Sequence, residues 1–277
     1  MVIDGHTHIF PPRVIADRER IVASDGAFRD LYASPKTKLA TADGLLASMD
    51  RDGVDVSVAL NLSWRSADLC ARTNDYIMES VARYPKRLVG FGTVDPTSSG
   101  AAREVERCAR GGLRGIGEMR LDAAALASPA VADCLSAIEE HGLVLLVHTS
   151  EPVGHQYAGK GDTTPGRLYP LIARFPKLRM IAAHWGGGLP FYALMPEVQK
   201  SFGNVYFDTA ASPFLYRPEV YGRVIDLVGA EHVLFGSDFP LLAPGRVLRE
   251  IRSQALPPEQ QRLILGGNAA RLLGLTE

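Results

Sequence analysis

Two histidines separated by one residue, His6 and His8, end the first apolar segment of the chain. Side chains along a β-strand alternate between its two faces, so a strand here would turn both imidazoles to the same side. Two neutral imidazoles on one side can bind a single divalent metal ion. The pair alone is weak support for a metal site, because a single histidine is more often a hydrogen-bonded structural residue.

Short apolar segments alternate with segments of helical periodicity along the whole chain, which predicts a parallel β-sheet with crossover helices. Eight such units without a Gly/Ser linker favour an α/β fold of the (β/α)8 type, a TIM barrel, as a single domain over residues 1–277. The eight predicted strands are 2–9, 54–60, 88–94, 113–119, 143–149, 178–185, 205–209 and 233–238.

In a barrel of this kind the reactive residues lie at the carboxyl ends of the strands. Four of the seven histidines and two carboxylates fall there. Imidazole and carboxylate ligands suit zinc and similar divalent ions, and nothing in the set requires a redox metal. The predicted metal ligands are His6, His8, Glu118, His148, His184 and Asp238.

About 40 residues separate the first strand from the helix predicted at 41–53, far more than most connections. This insertion, residues 10–40, contains several basic residues and Tyr32. A lid over the substrate and a solvated segment without a role are both consistent with this composition.

Thirty basic and thirty-one acidic residues give a net charge of -1, which offers no attraction for nucleic acid or for an anionic membrane. No apolar run approaches the roughly 20 residues of a membrane span. The N-terminus has no secretory signal pattern. We therefore expect a cytoplasmic protein with a small-molecule substrate. A homo-oligomer is also consistent with the sequence.

The motifs HTH, VHTS, AHWGG and FGSDFP occur in this order, followed by LGGNAARLLGL. In order, spacing and placement they resemble the amidohydrolase-related family of the amidohydrolase superfamily. The resemblance implies a (β/α)8 barrel that binds one or two divalent ions, usually zinc. Carried over by position, it implies that His6, His8 and Asp238 bind the first ion.

The resemblance leaves two roles for His148 and His184. In the mononuclear branch, which includes decarboxylases of aromatic and muconate-like acids, the first completes the site and the second acts as acid or base. In the binuclear branch a strand-four carboxylate bridges two ions and both histidines hold the second ion. Residues 115–118 resemble the corresponding segment of the binuclear hydrolases. This favours a Glu118 that bridges two ions over a Glu118 that pairs with Arg120.

A two-ion site predicts a metal-dependent hydrolase, in which a metal-activated water attacks a C–O or C–N bond of a lactone, ester or amide. Asp238 would take the proton of that water and pass it to the leaving group. The alternative is a mononuclear zinc-dependent non-oxidative decarboxylase.

Four further residues are predicted to contact the substrate. His155 and Lys160 belong to a polar loop after strand five, at the active-site face. Trp185 directly follows His184, and Arg120 follows strand four. Solvent exposure of His155 and Lys160 and core packing of Trp185 are the alternatives.

Overall fold

The computed structural model describes residues 1–275, and a ring of eight parallel β-strands lies at its centre. Each strand pairs with the next strand along the chain, in the order β1 to β8. The predicted (β/α)8 barrel is therefore confirmed. The strands are β1 (Ile3–His8), β2 (Val56–Leu60), β3 (Leu88–Gly92), β4 (Gly115–Met119), β5 (Val144–Val147), β6 (Met180–Ala182), β7 (Val205–Asp208) and β8 (Val233–Leu234).

The ring closes between β1 and the segment that follows β8. Gly5 N donates a hydrogen bond to the Phe235 carbonyl (2.8 Å), and Asp238 N donates to the His6 carbonyl (2.9 Å). Since β8 itself contains only two residues, the segment beyond it completes the contact with β1. This closure places Asp238 next to His6.

Helices surround the strands, and local sequence signals set several of their ends. Thr41 caps the helix Ala42–Asp52 by accepting a hydrogen bond from Gly44 N (3.3 Å), and Gly53 ends it with a φ of 73°. Among residues 1–275, no helix is long and apolar enough to cross a membrane. Further helices are Ala67–Arg83, Ala101–Arg110, Ala123–Ala127, Pro129–Glu140, Pro165–Arg174, Pro196–Lys200, Ser212–Leu215, Val220–Val228, Pro244–Ser253, Pro258–Arg262 and Asn268–Leu273, with 3-10 turns at Leu189–Leu194, Ser201–Asn204 and Ala230–His232 and a π-helical turn at Leu263–Gly267.

The insertion after β1 is helical, whereas the sequence predicts only a long connection. It contains the short helices Pro12–Ala16, Arg18–Ser24 and Gly26–Tyr32. Helices of this length show too few turns for a clear periodicity, which explains why the pattern did not reveal them. The insertion packs through its own apolar cluster, which includes Phe28 and reaches Trp64 after β2.

Asp25 ties the insertion to the barrel. One oxygen, Oδ1, accepts a hydrogen bond from Phe28 N (2.9 Å) and caps the helix Gly26–Tyr32. The other, Oδ2, accepts from Arg65 N after β2 (2.9 Å). The residue is only 2% exposed, so water does not compete strongly for either bond.

We expect Asp25→Ala to lower the free energy of unfolding by about 1–2 kcal/mol, because it removes a helix cap and a buried acceptor together. Limited proteolysis should also cleave residues 10–40 faster. Urea unfolding and mass mapping of the fragments measure both effects. Asp30→Ala, an exposed position in the same helix, is the matched control; equal behaviour of the two variants would contradict the anchoring role.

Candidate functional site

The six predicted ligands meet at the carboxyl ends of the strands and form two groups of three. Within each group the ligand atoms all lie within 4.8 Å of one another. We call the first the β1–β8 group, which contains His6, His8 and Asp238, and the second the β4–β6 group, which contains Glu118, His148 and His184.

The β1–β8 group has the dimensions of a site for one divalent ion. His6 Nε2 and His8 Nε2 lie 3.1 Å apart. Asp238 Oδ1 lies 3.2 Å from His8 Nε2 and 3.7 Å from His6 Nε2. Three atoms with these separations can all lie about 2 Å from a single point, which matches the Zn–N and Zn–O bond lengths. The residues therefore fit a metal ion of this kind.

Asp208, at the end of β7, orients His6. Its Oδ2 lies 2.8 Å from His6 Nδ1, so Nδ1 donates to the carboxylate and Nε2 is the ring nitrogen that faces His8 and Asp238. Its Oδ1 accepts from His184 N (2.8 Å) and Ala210 N (3.0 Å). Gly236 permits this approach, because a methyl group there would lie 3.0 Å from His6 Cβ and 3.3 Å from Asp208 Cβ.

The β4–β6 group is joined internally by hydrogen bonds. Arg120 can only donate, so its Nη2, 3.0 Å from His148 Nε2, makes that ring nitrogen an acceptor. The ring proton of His148 is then on Nδ1, which donates to Glu118 Oε1 (2.8 Å). Burial, and next the charge of Arg120, lower the pKa of His148 to about 4, so this imidazole is neutral.

His184 lies between two hydrogen-bond acceptors. Its Nδ1 is 3.1 Å from the Ala210 carbonyl oxygen, and its Nε2 is 3.2 Å from Glu118 Oε1. Both ring nitrogens therefore carry protons. Burial lowers the pKa of His184, but the hydrogen bond to Glu118 and its charge outweigh burial and raise the pKa to about 9. An imidazole with protons on both nitrogens has one that it can give away.

Negative charge is concentrated around the β1–β8 group. Burial raises the pKa of Asp238, yet its hydrogen bond to His8 and the charge of His6 lower the pKa to about 2. Burial lowers the pKa of His6, but Asp208 above all raises it to about 10, so a metal ion at Nε2 would displace a ring proton. The pKa of Glu118 lies well below its usual value despite burial, chiefly through His148. Several buried carboxylates together favour a bound cation.

The chain turns sharply after β6 to place His184. His184 and Trp185 adopt the left-handed region, with φ of 56° and 57°, which costs about 1–3 kcal/mol at each such residue. Gly187 follows in the same region, and a methyl group there would collide with the carbonyl oxygen of Ser150. The turn directs His184 N toward Asp208 while its ring faces Glu118.

A cavity of about 370 Å³ opens above the two groups, and it is lined by five of the six ligands, with His6 the exception. The rest of its wall is largely apolar. A volume of this size suits a small substrate with one ring. The apolar wall includes Leu31, Ala158, Ala211, Phe214, Leu215 and Leu241.

His155 and Trp185, two of the four predicted substrate contacts, differ in their position relative to the cavity. His155 is exposed and lines the cavity, as expected. Trp185 does not line it: the indole is fully buried, its Nε1 donates to Ser212 Oγ (2.9 Å), and its ring packs edge-on against Tyr221. The left-handed turn directs Trp185 into the core, so its predicted substrate contact is wrong.

Lys160 and Arg120 form hydrogen bonds with residues around the cavity. Lys160 Nζ donates to the carbonyls of Val153 (2.8 Å) and His155 (3.1 Å), so its charge stabilises its own loop. Arg120 lies behind His148 and also donates to the carbonyl of Gly159. Neither residue lines the cavity. Their contact with a substrate stays a prediction.

Sequence reasoning missed Asp208, and it left open whether the insertion covers the substrate. Asp208 occupies a strand end like the six predicted ligands, so a search of all eight ends for carboxylates would have found it. Leu31, Tyr32 and Lys38 also line the cavity. No pattern in residues 10–40 indicates which of their side chains face inward.

Comparisons with known proteins agree with this geometry. A family model described as amidohydrolase matches residues 3–275. The chain belongs to the amidohydrolase family. The resemblance drawn from the sequence motifs is thus confirmed, and the protein is an enzyme of the amidohydrolase superfamily.

Three similar proteins have named activities. A 2-amino-3-carboxymuconate-6-semialdehyde decarboxylase of Dictyostelium discoideum is 24% identical over 99% of this chain and 91% of the relative. The structure of 5-carboxyvanillate decarboxylase from Sphingomonas paucimobilis has a TM-score of 0.77 at 23% identity and covers 99% of each chain. The 5-carboxyvanillate decarboxylase of Novosphingobium aromaticivorans, with manganese and 4-hydroxy-3-methoxy-5-nitrobenzoic acid, has a TM-score of 0.81 at 18% identity over 99% of this chain and 96% of that one.

These relatives overturn the predicted hydrolysis of a C–O or C–N bond. All three are decarboxylases, which agrees with the alternative reaction stated from the sequence. The wrong prediction relied on Glu118 as a bridge between two ions. In the structure Glu118 Oε1 instead accepts hydrogen bonds from His148 and His184.

We expect Asp208→Asn to weaken metal binding about 10- to 100-fold, because the amide no longer provides the charged acceptor that fixes His6 Nδ1–H. Competition with a chromophoric chelator measures the Kd. Asp226→Asn, on an exposed side chain (71%), should bind metal like the wild type. An unchanged Kd in Asp208→Asn would rule out the orienting role.

Proposed function

We propose that the chain is a metal-dependent decarboxylase that removes CO2 from an aromatic or muconate-like acid without a redox step. The observation that carries the proposal is the position of His184 on the wall of a ring-sized cavity, with a hydrogen-bond acceptor at each of its two ring nitrogens. Such a reaction replaces a carboxylate by a hydrogen atom. It therefore requires a proton donor at the reacting carbon.

The cavity supports a planar substrate. Its wall is mainly apolar, while its polar groups are concentrated at the strand ends. This arrangement favours a ring that packs against Phe214 and Leu241 and directs its carboxylate toward the histidines. The named relatives act on a muconate semialdehyde and on carboxyvanillate, which belong to this class of acids.

His184 would deliver the proton. As the carbon–carbon bond to the carboxylate breaks, the electron pair stays on the ring carbon and takes the proton from His184 Nε2, and CO2 leaves. Glu118 keeps the imidazole charged until transfer, and the Ala210 carbonyl fixes the ring through Nδ1. General acid catalysis of this type contributes about 10²–10⁴-fold.

The β1–β8 group would hold a divalent ion through His6 Nε2, His8 Nε2 and a carboxylate oxygen of Asp238. When bound, such an ion holds the oxygen atoms of the acid and offsets their negative charge. Zinc and manganese both accept these ligands. Asp238, predicted from the sequence as a proton carrier, serves in this proposal as a ligand, because its low pKa keeps it ionised.

We propose one ion rather than the two that the sequence favours. In the β4–β6 group, His148 uses Nδ1 for Glu118 and Nε2 for Arg120. His184 uses both of its ring nitrogens in the same way. Neither imidazole leaves a lone pair for a second ion, so this group is satisfied by its own hydrogen bonds.

Incubation of the metal-loaded protein with hydroxylated benzoic acids in D2O should release CO2 and leave one deuterium at the vacated carbon. We expect His184→Asn to lower kcat about 10²–10⁴-fold with unchanged metal content, because the proton donor is lost and the β1–β8 ligands remain. Mass spectrometry of the product and metal analysis of the protein measure the two quantities.

His141→Asn is the matched control, since His141 is exposed and lies at the opposite end of β5 from the site. It should retain full activity. Absence of CO2 release across the acids, or an undiminished kcat in His184→Asn, would refute the proposed reaction or its proton donor.

A further inference from the structure

Tyr32, the last residue of the third inserted helix, is held rigidly at the cavity. Its ring stacks on Phe28 (4.9 Å between centroids) and contacts the edge of Phe10 (5.1 Å). Phe28 in turn stacks on Trp64 (5.2 Å). Arg18 donates to the Tyr32 carbonyl from Nε (3.1 Å) and Nη2 (2.8 Å). Ring and backbone are thus positioned before a ligand binds.

The hydroxyl of Tyr32 is a donor that the protein does not use. Tyr32 lines the cavity together with His8, Glu118 and Asp238. Among residues 1–275, no protein group forms a hydrogen bond with this hydroxyl. Burial, and then the charges of Asp238 and Glu118, raise the pKa of Tyr32 far above neutrality. The hydroxyl therefore keeps its proton.

An anionic ligand in this cavity would face the carboxylates Glu118 and Asp238. A donor fixed in the wall of the same cavity would offset that repulsion, and hydrogen bonds to charged oxygens are stronger than neutral ones. We infer that Tyr32 donates a hydrogen bond to an anionic oxygen of the bound acid, a carboxylate or a phenolate. The inference rests on the proposed function for the class of ligand.

Tyr32 is then a specificity-determining residue that the insertion contributes, whereas the barrel supplies the ion ligands and the proton donor. This assignment gives the insertion a role beyond covering the site. A purely structural Tyr32 would need only its ring, which Tyr32→Phe retains.

Binding of 4-hydroxy-3-methoxy-5-nitrobenzoic acid to the metal-loaded protein tests the inference without turnover. This probe offers both a carboxylate and a phenolate. Isothermal titration calorimetry should give a Kd about 10-fold or more weaker for Tyr32→Phe than for the wild type, as expected for one charged hydrogen bond. Tyr169→Phe, outside the cavity, should bind like the wild type.

Two smaller probes identify the acceptor. A loss of affinity for 3-nitrobenzoate, which has no hydroxyl, assigns the carboxylate, whereas a loss confined to 2-nitrophenol assigns the phenolate. Either result supports the inference. Equal Kd values of wild type and Tyr32→Phe for all three probes would overturn it, as would a defect in Tyr32→Leu that Tyr32→Phe does not share.

Failure of the proposed function is a separate result. In that case the wild type would bind the probes more tightly than Tyr32→Phe, yet release no CO2 from any acid. A wild type that binds none of the three probes would overturn the inference about Tyr32 as well.

Discussion

The backbone hydrogen bonds between β1 and the segment after β8 are the constraint on which the site depends. His6 and Asp238 are separated by nearly the whole chain, and only ring closure makes them neighbours, through the bond from Asp238 N to the His6 carbonyl (2.9 Å). Asp4 strengthens the same junction, because its Oδ1 accepts from Ser237 N (2.9 Å). A barrel that failed to close would leave His6 and His8 without their carboxylate partner.

Glu118 lies between the group that would hold a cation and the group that holds the proton donor. Its Oε2 lies 3.6 Å from His8 Nε2 in the β1–β8 group. Its Oε1 takes the hydrogen bonds of His148 and His184 in the β4–β6 group. One buried carboxylate thus faces both groups, so the charge that favours an ion also keeps His184 protonated. The proposed reaction needs both, an ion for the acid and a proton for the carbon.

The sequence predicts the barrel and the cluster of six histidines and carboxylates at its strand ends because strand alternation and strand-end position are local patterns. It could not predict which hydrogen bonds these six residues make. From its place after β4, Arg120 is predicted to contact the substrate. In the structure it donates a hydrogen bond to His148 and so fixes the position of the ring proton of that residue. Trp185 is predicted to contact the substrate because it follows His184, yet a left-handed turn directs its side chain into the core. Tyr32 reaches the cavity through aromatic packing between distant segments, which leaves no periodic signal.

Metal content per chain, measured by inductively coupled plasma mass spectrometry after saturation and removal of free ion, tests the central claim most directly. We predict one tightly bound divalent ion in the wild type and in Glu118→Gln, and none in His8→Ala, because His8 belongs to the β1–β8 group and the ring nitrogens of the β4–β6 group are engaged in hydrogen bonds. Two ions per chain, with the second lost in Glu118→Gln, would contradict this prediction and restore Glu118 as a bridge between two metals.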